Sequence, residues 1–254
     1  MIRRALISVA VLTALMAVSP SRAIDFHDNG KWGMISSGPY QVTLYKNGSF
    51  VLDVKDSMKL NCSFIRCWVA YQHFPQVMLL SAEMSVAADA ANASARFTYY
   101  WDEGTIVENL VFTNRGIEAS YSFAPWKDKD LEYMCCLIRP DGEPKEGIKL
   151  VVTDRANHSG KIEQIDAAAK TYGAYQAVSW RESGPYIVDF AAENGAWFNM
   201  ARFPILMLRK CGNYPRWDKT RYKKGEEFRL SYSLFISKSA GMNLPPATVE
   251  FKEL

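Results

Sequence analysis

The chain of 254 residues carries few of the features that announce a reaction. It has no GxSxG, no HExxH, no phosphate-binding glycine loop, no GxGxxG after a strand and no EF-hand loop. It has only three histidines, His27, His73 and His158. No CxxC or histidine pair has the spacing of metal ligands, so no zinc centre and no cofactor is expected. No long block of lysine and arginine is present. No stretch rich in proline, glycine or serine divides the chain, and no low-complexity segment interrupts it. After residue 24 no apolar run is long enough to cross a bilayer.

The one long apolar run lies at the start. Met1-Ile2-Arg3-Arg4 precedes Ala5 to Val18, and Ser19-Pro20-Ser21-Arg22-Ala23 follows. A charged start, a short apolar segment and small residues at Ser21 and Ala23 match a cleavable bacterial-type export signal. Residues 1–23 are therefore expected to be removed, leaving residues 24–254 as a single domain, secreted or periplasmic, with no membrane span. The formal net charge of the whole chain is +3. Arg3, Arg4 and Arg22 account for it, and the remainder is formally neutral. Nucleic acid, which demands phosphate neutralisation, is not an expected partner.

Five cysteines remain: Cys62, Cys67, Cys135, Cys136 and Cys211. Export permits disulfides, and the odd number leaves at least one thiol without an intrachain partner. Cys62 and Cys67 would face opposite sides of one strand, as would Cys135 and Cys136. A cross-strand bond between the two regions is one arrangement; core thiols are the other.

Period-two alternation dominates the rest. Tyr40, Val42 and Leu44 alternate with Gln41 and Thr43, Asn47-Gly48 supplies a turn, and Phe50–Val54 resumes, which predicts a hairpin. Arg96–Trp101, Thr105–Thr113 and Ile117–Phe123 read as a three-strand meander, turning at Asp102-Glu103-Gly104 and Asn114-Arg115-Gly116. Cys62–Tyr71, Val77–Val86, Leu131–Ile138 and Ile148–Val152 are further extended segments. Phe228, Leu230, Tyr232, Leu234 and Ile236 alternate with Arg229, Ser231 and Ser233 in a long, half-buried strand. Ala87–Ala95 reads as a loop or a single helical turn. The best helix candidate is Lys161–Tyr172, where Ile162, Ile165, Ala169 and Tyr172 recur at helical spacing around three alanines. Ser37-Gly38-Pro39-Tyr40-Gln41-Val42 is echoed by Ser183-Gly184-Pro185-Tyr186-Ile187-Val188, either by coincidence or as two equivalent hairpins. The expected class is all-β, a large antiparallel sandwich with at most one or two short helices.

Candidate site residues fall into three groups. His158 and His73 have the side-chain type of a general acid or base, set in a polar loop and at a strand end respectively. Asp102, Glu103, Glu108, Asp154, Glu182, Asp189 and Glu193 are the carboxylates from which a glycosidic pair would be drawn, although each also reads as a turn or solvent-facing residue. Seven tryptophans supply flat apolar faces on which sugar rings stack. Trp126, Trp180 and Trp217 have charged neighbours, and with Arg181 and Arg216 they make the expected carbohydrate-binding face. Trp68 and Trp101 read better as packing residues.

Trp101, the turn after it, Thr105–Thr113 and Gly116-Ile117-Glu118-Ala119-Ser120-Tyr121-Ser122-Phe123 resemble strands of galactose-mutarotase-like "supersandwich" domains. Glu227-Phe228-Arg229-Leu230-Ser231-Tyr232-Ser233-Leu234 is similar to their closing strand. The resemblance spans roughly residues 35–240 and implies a carbohydrate-associated sandwich, either a binding module or an epimerase, lyase or hydrolase. Active epimerases of that kind use a histidine and a glutamate in a set context that neither His73 nor His158 matches, so no catalytic residue is carried over. A non-catalytic envelope interaction protein is the remaining alternative.

Overall fold

A computed structural model describes residues 30–63, 66–69, 72–73, 78–87, 89–101, 104–131, 133–141, 149–154, 162–166, 174–181, 184–193, 197–200, 204–207, 220–238 and 249–253. Every regular element among them is a strand. The chain opens with β1 (Lys31–Ser37), β2 (Tyr40–Tyr45), β3 (Phe50–Val54) and β4 (Met58–Cys62), then the short β5 (Arg66–Val69) and β6 (Gln72–His73). The meander is β7 (Met78–Val86), β8 (Asn92–Trp101), β9 (Gly104–Thr113) and β10 (Gly116–Pro125). Next come β11 (Lys129–Leu131), β12 (Tyr133–Pro140), β13 (Lys149–Asp154), β14 (Ile162–Asp166), β15 (Ala174–Trp180) and β16 (Tyr186–Glu193). The last are β17 (Trp197–Met200), β18 (Pro204–Met207), β19 (Thr220–Tyr222), β20 (Phe228–Lys238) and β21 (Val249–Glu253).

Two large antiparallel sheets form a sandwich. One runs β21-β1-β2-β3-β4-β12. The other is nine strands wide, in the order β7-β8-β9-β10-β20-β16-β15-β13-β14. β12 also pairs with β18, and β17 connects β18 to β15, so the sheets are joined through one edge. A separate two-stranded ribbon pairs β11 with β19. Among the described residues no helix is long and apolar enough to cross a membrane.

The alternation read in the sequence explains this arrangement. Ile106, Leu110 and Phe112 of β9, Ala119, Tyr121 and Phe123 of β10, and Leu230, Tyr232 and Leu234 of β20 are buried against Val42, Leu44, Leu52 and Leu60 of the first sheet. Burying this much apolar surface is the main favourable term, at about 25 cal/mol per Å². Tyr40 ties the layers together: its hydroxyl donates to the Thr113 carbonyl at 2.6 Å and to that of Gly116 at 3.2 Å. The Asn47-Gly48 turn forms as read, with Gly48 at φ 76° and Asn47 Oδ1 accepting from the Ser49 amide at 3.0 Å.

Two expectations are corrected. The segment expected to be a helix from Lys161 contains β14, which pairs with β13 from Lys149↔Asp166 to Thr153↔Ile162. Ile162 and Ile165 are β-branched and favour a strand against the edge of β13; residues 167–173, which include the three alanines, lie outside the described set. The Ala87–Ala95 loop is also shorter than expected, because β8 begins at Asn92 with Ala93 and Ala95 in the core.

The repeated Ser-Gly-Pro-Tyr motif has a structural counterpart. Tyr40 opens β2 and Tyr186 opens β16, and both motifs meet the turn between β3 and β4. The Lys55 amide donates to the Pro39 carbonyl at 3.0 Å, and the Tyr186 amide donates to Ser57 Oγ at 3.1 Å.

Candidate functional site

The nine-stranded sheet has one face in the core and one turned outward. Strand register aligns the outward residues into rows. One row runs across six adjacent strands: Glu83 (β7) opposite Arg96 (β8), Arg96 opposite Asn109 (β9), Asn109 opposite Ser120 (β10), Ser120 opposite Ser231 (β20), and Ser231 opposite Glu193 (β16). All six side chains are polar. Glu118 lies in the next row, opposite Ser233, and Ser233 Oγ donates to Glu193 Oε1 at 3.3 Å. Two rows beyond the first, Asp189 lies opposite Phe235, and Ser179 Oγ donates to Asp189 Oδ1. Ser231 and Ser233 are buried although they point away from the core, so the centre of this face is sheltered.

Exposed aromatics mark its two ends. Trp126, 47% exposed, follows β10 and packs on Tyr100 with ring centroids 5.1 Å apart. Its loop is held in place: Asp128 Oδ1 accepts from the Lys224 amide at 3.0 Å, Arg221 lies 3.5 Å from Asp128 and 3.8 Å from Asp130, and the Gly225 amide donates to the Pro125 carbonyl at 2.9 Å. The Lys224 amide, followed by Arg221, holds the Asp128 carboxyl below its ordinary value. At the other end Phe235 is 45% exposed on the outward phase of β20. The Gly116–Tyr100 register puts the two ends about 26 Å apart along the strands and about 14 Å across them.

The sequence-predicted residues divide. Trp126 stands at one end of this face, exposed and packed on Tyr100. Trp180 does not: it is 1% exposed, on the inward phase of β15 beside Val178 and Leu150. A fully buried indole cannot stack on a ligand. Arg181 is exposed at the end of β15. It lies beyond the Phe235 end of the strands, so Trp126 and Arg181 are separated by about 40 Å and do not form one cluster. Arg216, Trp217 and His158 lie outside the described residues. His73 lies on β6 opposite Trp68. The six-residue row was not legible in any single strand, because it exists only once register aligns the strands. Phe235 had a signal that was missed: an aromatic in the polar phase of the late strand.

The carboxylate candidates also separate. Asp189 and Glu193 are on the outward face. Glu118 and Glu193 are two strands and two residues apart, about 12 Å between backbones, and Glu193 reaches toward the Glu118 row through its contact with Ser233. Glu108 is fully buried between the sheets with Tyr99, Tyr121, Tyr232, Cys62 and Cys136. Loss of water pushes its carboxyl well above the usual range, opposed by the Tyr121 hydroxyl. Burial likewise raises the Cys62 thiol, opposed by Tyr232, and keeps it protonated and unreactive. This interior cluster is sealed from solvent and belongs to the core.

The cysteine regions do come together, since β4 and β5 both pair with β12. Their register sets Cys62 opposite Ile138, Cys67 opposite Met134, and Cys135 opposite Arg66. Among the described residues no cysteine is paired in register with another, and Cys62 and Cys136 are buried thiols outside any disulfide. Among the described residues no group of three or more His, Cys, Asp or Glu could hold a metal ion.

No protein-family model matches the chain, and no curated protein matches it by sequence. Solved structures are similar in shape. The Slr1438 protein of Synechocystis sp. PCC 6803 superposes with a TM-score of 0.52 at 7% identity, covering 88% of this chain and 99% of that one. The alpha-N-acetylgalactosaminidase NagBb of Bifidobacterium bifidum superposes at 0.53 with 6% identity over 80% of this chain, which spans 35% of that protein's length. A galactose mutarotase-like protein of Clostridium acetobutylicum superposes at 0.45, with 7% identity over 80% of this chain and 94% of that one. The first two superpositions show a shared fold and say nothing of activity. With the antiparallel sandwich in place, the resemblance to galactose-mutarotase-like domains stands as a resemblance of fold.

Proposed function

We propose that this is an exported, carbohydrate-associated β-sandwich protein that holds a glycan on the outward face of its nine-stranded sheet. The observation that carries the reading is the polar row from Glu83 to Glu193 with exposed aromatics, Trp126 and Phe235, at the two ends of the face. Sugars need both parts: flat apolar rings under their C–H faces and polar groups for their hydroxyls. The anchored Trp126 loop reduces the ordering that binding would otherwise require. The fold-sharing alpha-N-acetylgalactosaminidase acts on a sugar by its name, which is consistent with the reading.

A glycan array probed with the purified protein tests this. Wild type is expected to bind at least one glycan class, and Trp126→Ala to weaken that binding about tenfold or more with an unchanged melting temperature. Wild type that binds no glycan defeats the proposal. Export has its own test. Amino-terminal sequencing of protein recovered outside the cytoplasm should begin at Ile24; an intact Met1 would contradict cleavage. In that compartment a bond among Cys67, Cys135 and Cys211 is a further proposal, and thiol counting before and after reduction reads it.

A further inference from the structure

Resting on that reading, we infer that the ligand is a neutral, linear oligosaccharide lying along the strands between the Phe235 end and the Trp126 end, and not a single sugar. Two independent features give it length. Phe235 and the Trp126–Tyr100 pair are separated by about 26 Å along the strand direction, a distance only several sugar rings joined end to end can bridge. Between them, among the described residues, no aromatic platform intervenes and polar side chains alternate with small apolar ones: Asn109 lies opposite Ser120, Val107 opposite Ser122 and Val111 opposite Glu118. A monosaccharide pocket would gather its ring platform and its polar partners at one level; here the platforms stand at opposite ends.

Charge gives it neutrality. Glu118 lies between the aromatic ends, and Glu193 and Asp189 flank that stretch on β16, one strand beyond Phe235. Each arginine there has an acid as a neighbour: Arg96 lies opposite Glu83 in register, and Arg229 is 3.4 Å from Glu227. A polyanionic glycan would place its carboxylates or sulfates against those acids, and like charges across an interface reject a partner. Gly116 lies opposite Phe235 and has no side chain to cover its ring.

Calorimetric titration of the whole protein with neutral cello-, xylo-, manno- and chito-oligosaccharides, from the monosaccharide upward, tests the inference, with oligogalacturonate as the anionic comparison. For at least one neutral series, affinity should rise with length and level off once the chain spans both ends. Phe235→Ala and Trp126→Ala should each lower the longest oligomer's affinity about tenfold and abolish its advantage over short ones. The inference is overturned if the monosaccharide binds as tightly as the longest oligomer, if oligogalacturonate binds more tightly than every neutral chain, or if Phe235→Ala leaves the longest oligomer unaffected. Binding of no saccharide in any series overturns the glycan reading itself, which separates the two failures.

Discussion

Glu108→Gln is expected to make the protein more stable at pH 8 than wild type, with an advantage that shrinks as the pH falls toward 5. Glu108 sits at 0% exposure between the sheets, and burial holds its carboxyl well above its ordinary value of 4.5. Below that value the carboxyl is protonated in both folded and unfolded chains, and its contribution to stability is fully present. Above it the unfolded chain releases the proton while the native chain keeps it. Stability therefore falls with rising pH, by about 1.4 kcal/mol per unit, until the folded carboxyl itself ionises. Glutamine keeps the shape and has no proton to release. Urea unfolding of both proteins across this range reads the effect as a difference that cancels every other titrating group. Parallel stability curves would show that Glu108 is not held neutral in the core. The neighbouring Tyr99, Tyr121 and Tyr232 are also driven upward by burial and remain neutral throughout this window.

Replacing Gly116 with alanine should cost about 3 kcal/mol or more, a fall of roughly 6–12 °C in melting temperature for a domain of this size. Gly116 has φ +148°, and a β-carbon there would stand 1.8 Å from the Leu234 carbonyl oxygen. That obstacle is backbone in a central strand and cannot swing aside. The same residue's carbonyl accepts from Tyr40, and the neighbouring Arg115 carbonyl accepts from the Ile236 amide at 2.7 Å, so a shift would disturb both sheets. Gly225 is the control. It also has a positive φ, but nothing lies within 4 Å of its missing β-carbon. Gly225→Asn should change the melting temperature little, since asparagine tolerates this conformation. A Gly116→Ala protein that melts with wild type would mean that the β10–β20 register differs from the one described.

These two sites show what can be read in a sequence and what cannot. The hairpin around Asn47-Gly48, the meander and the inward phase of β20 were legible because each is a local pattern of period two. Glu108 was legible in the same way: it shares the phase of Ile106, Leu110 and Phe112 in β9, and that phase is buried. Counting it among solvent-facing carboxylates weighed its charge above its position. Gly116 could be read as a turn residue. Its contact with Leu234 could not, because the partner strand is far along the chain. The stretch Ile162–Asp166 misled because isoleucines at helical spacing carry no information about the open edge of β13. Trp180 misled for a related reason: charged neighbours in sequence say little when successive strand residues face opposite ways. The outward face was hidden most completely, since its polar row draws one residue from each of six strands.

A glycan meeting that face would be reported directly by the indole N–H signals of the seven tryptophans. In a nuclear magnetic resonance titration of the labelled protein with its tightest-binding oligosaccharide, the Trp126 indole signal should move and saturate with the calorimetric affinity. The Trp180 signal should stay where it is. A saturating titration that leaves Trp126 unmoved would contradict the account.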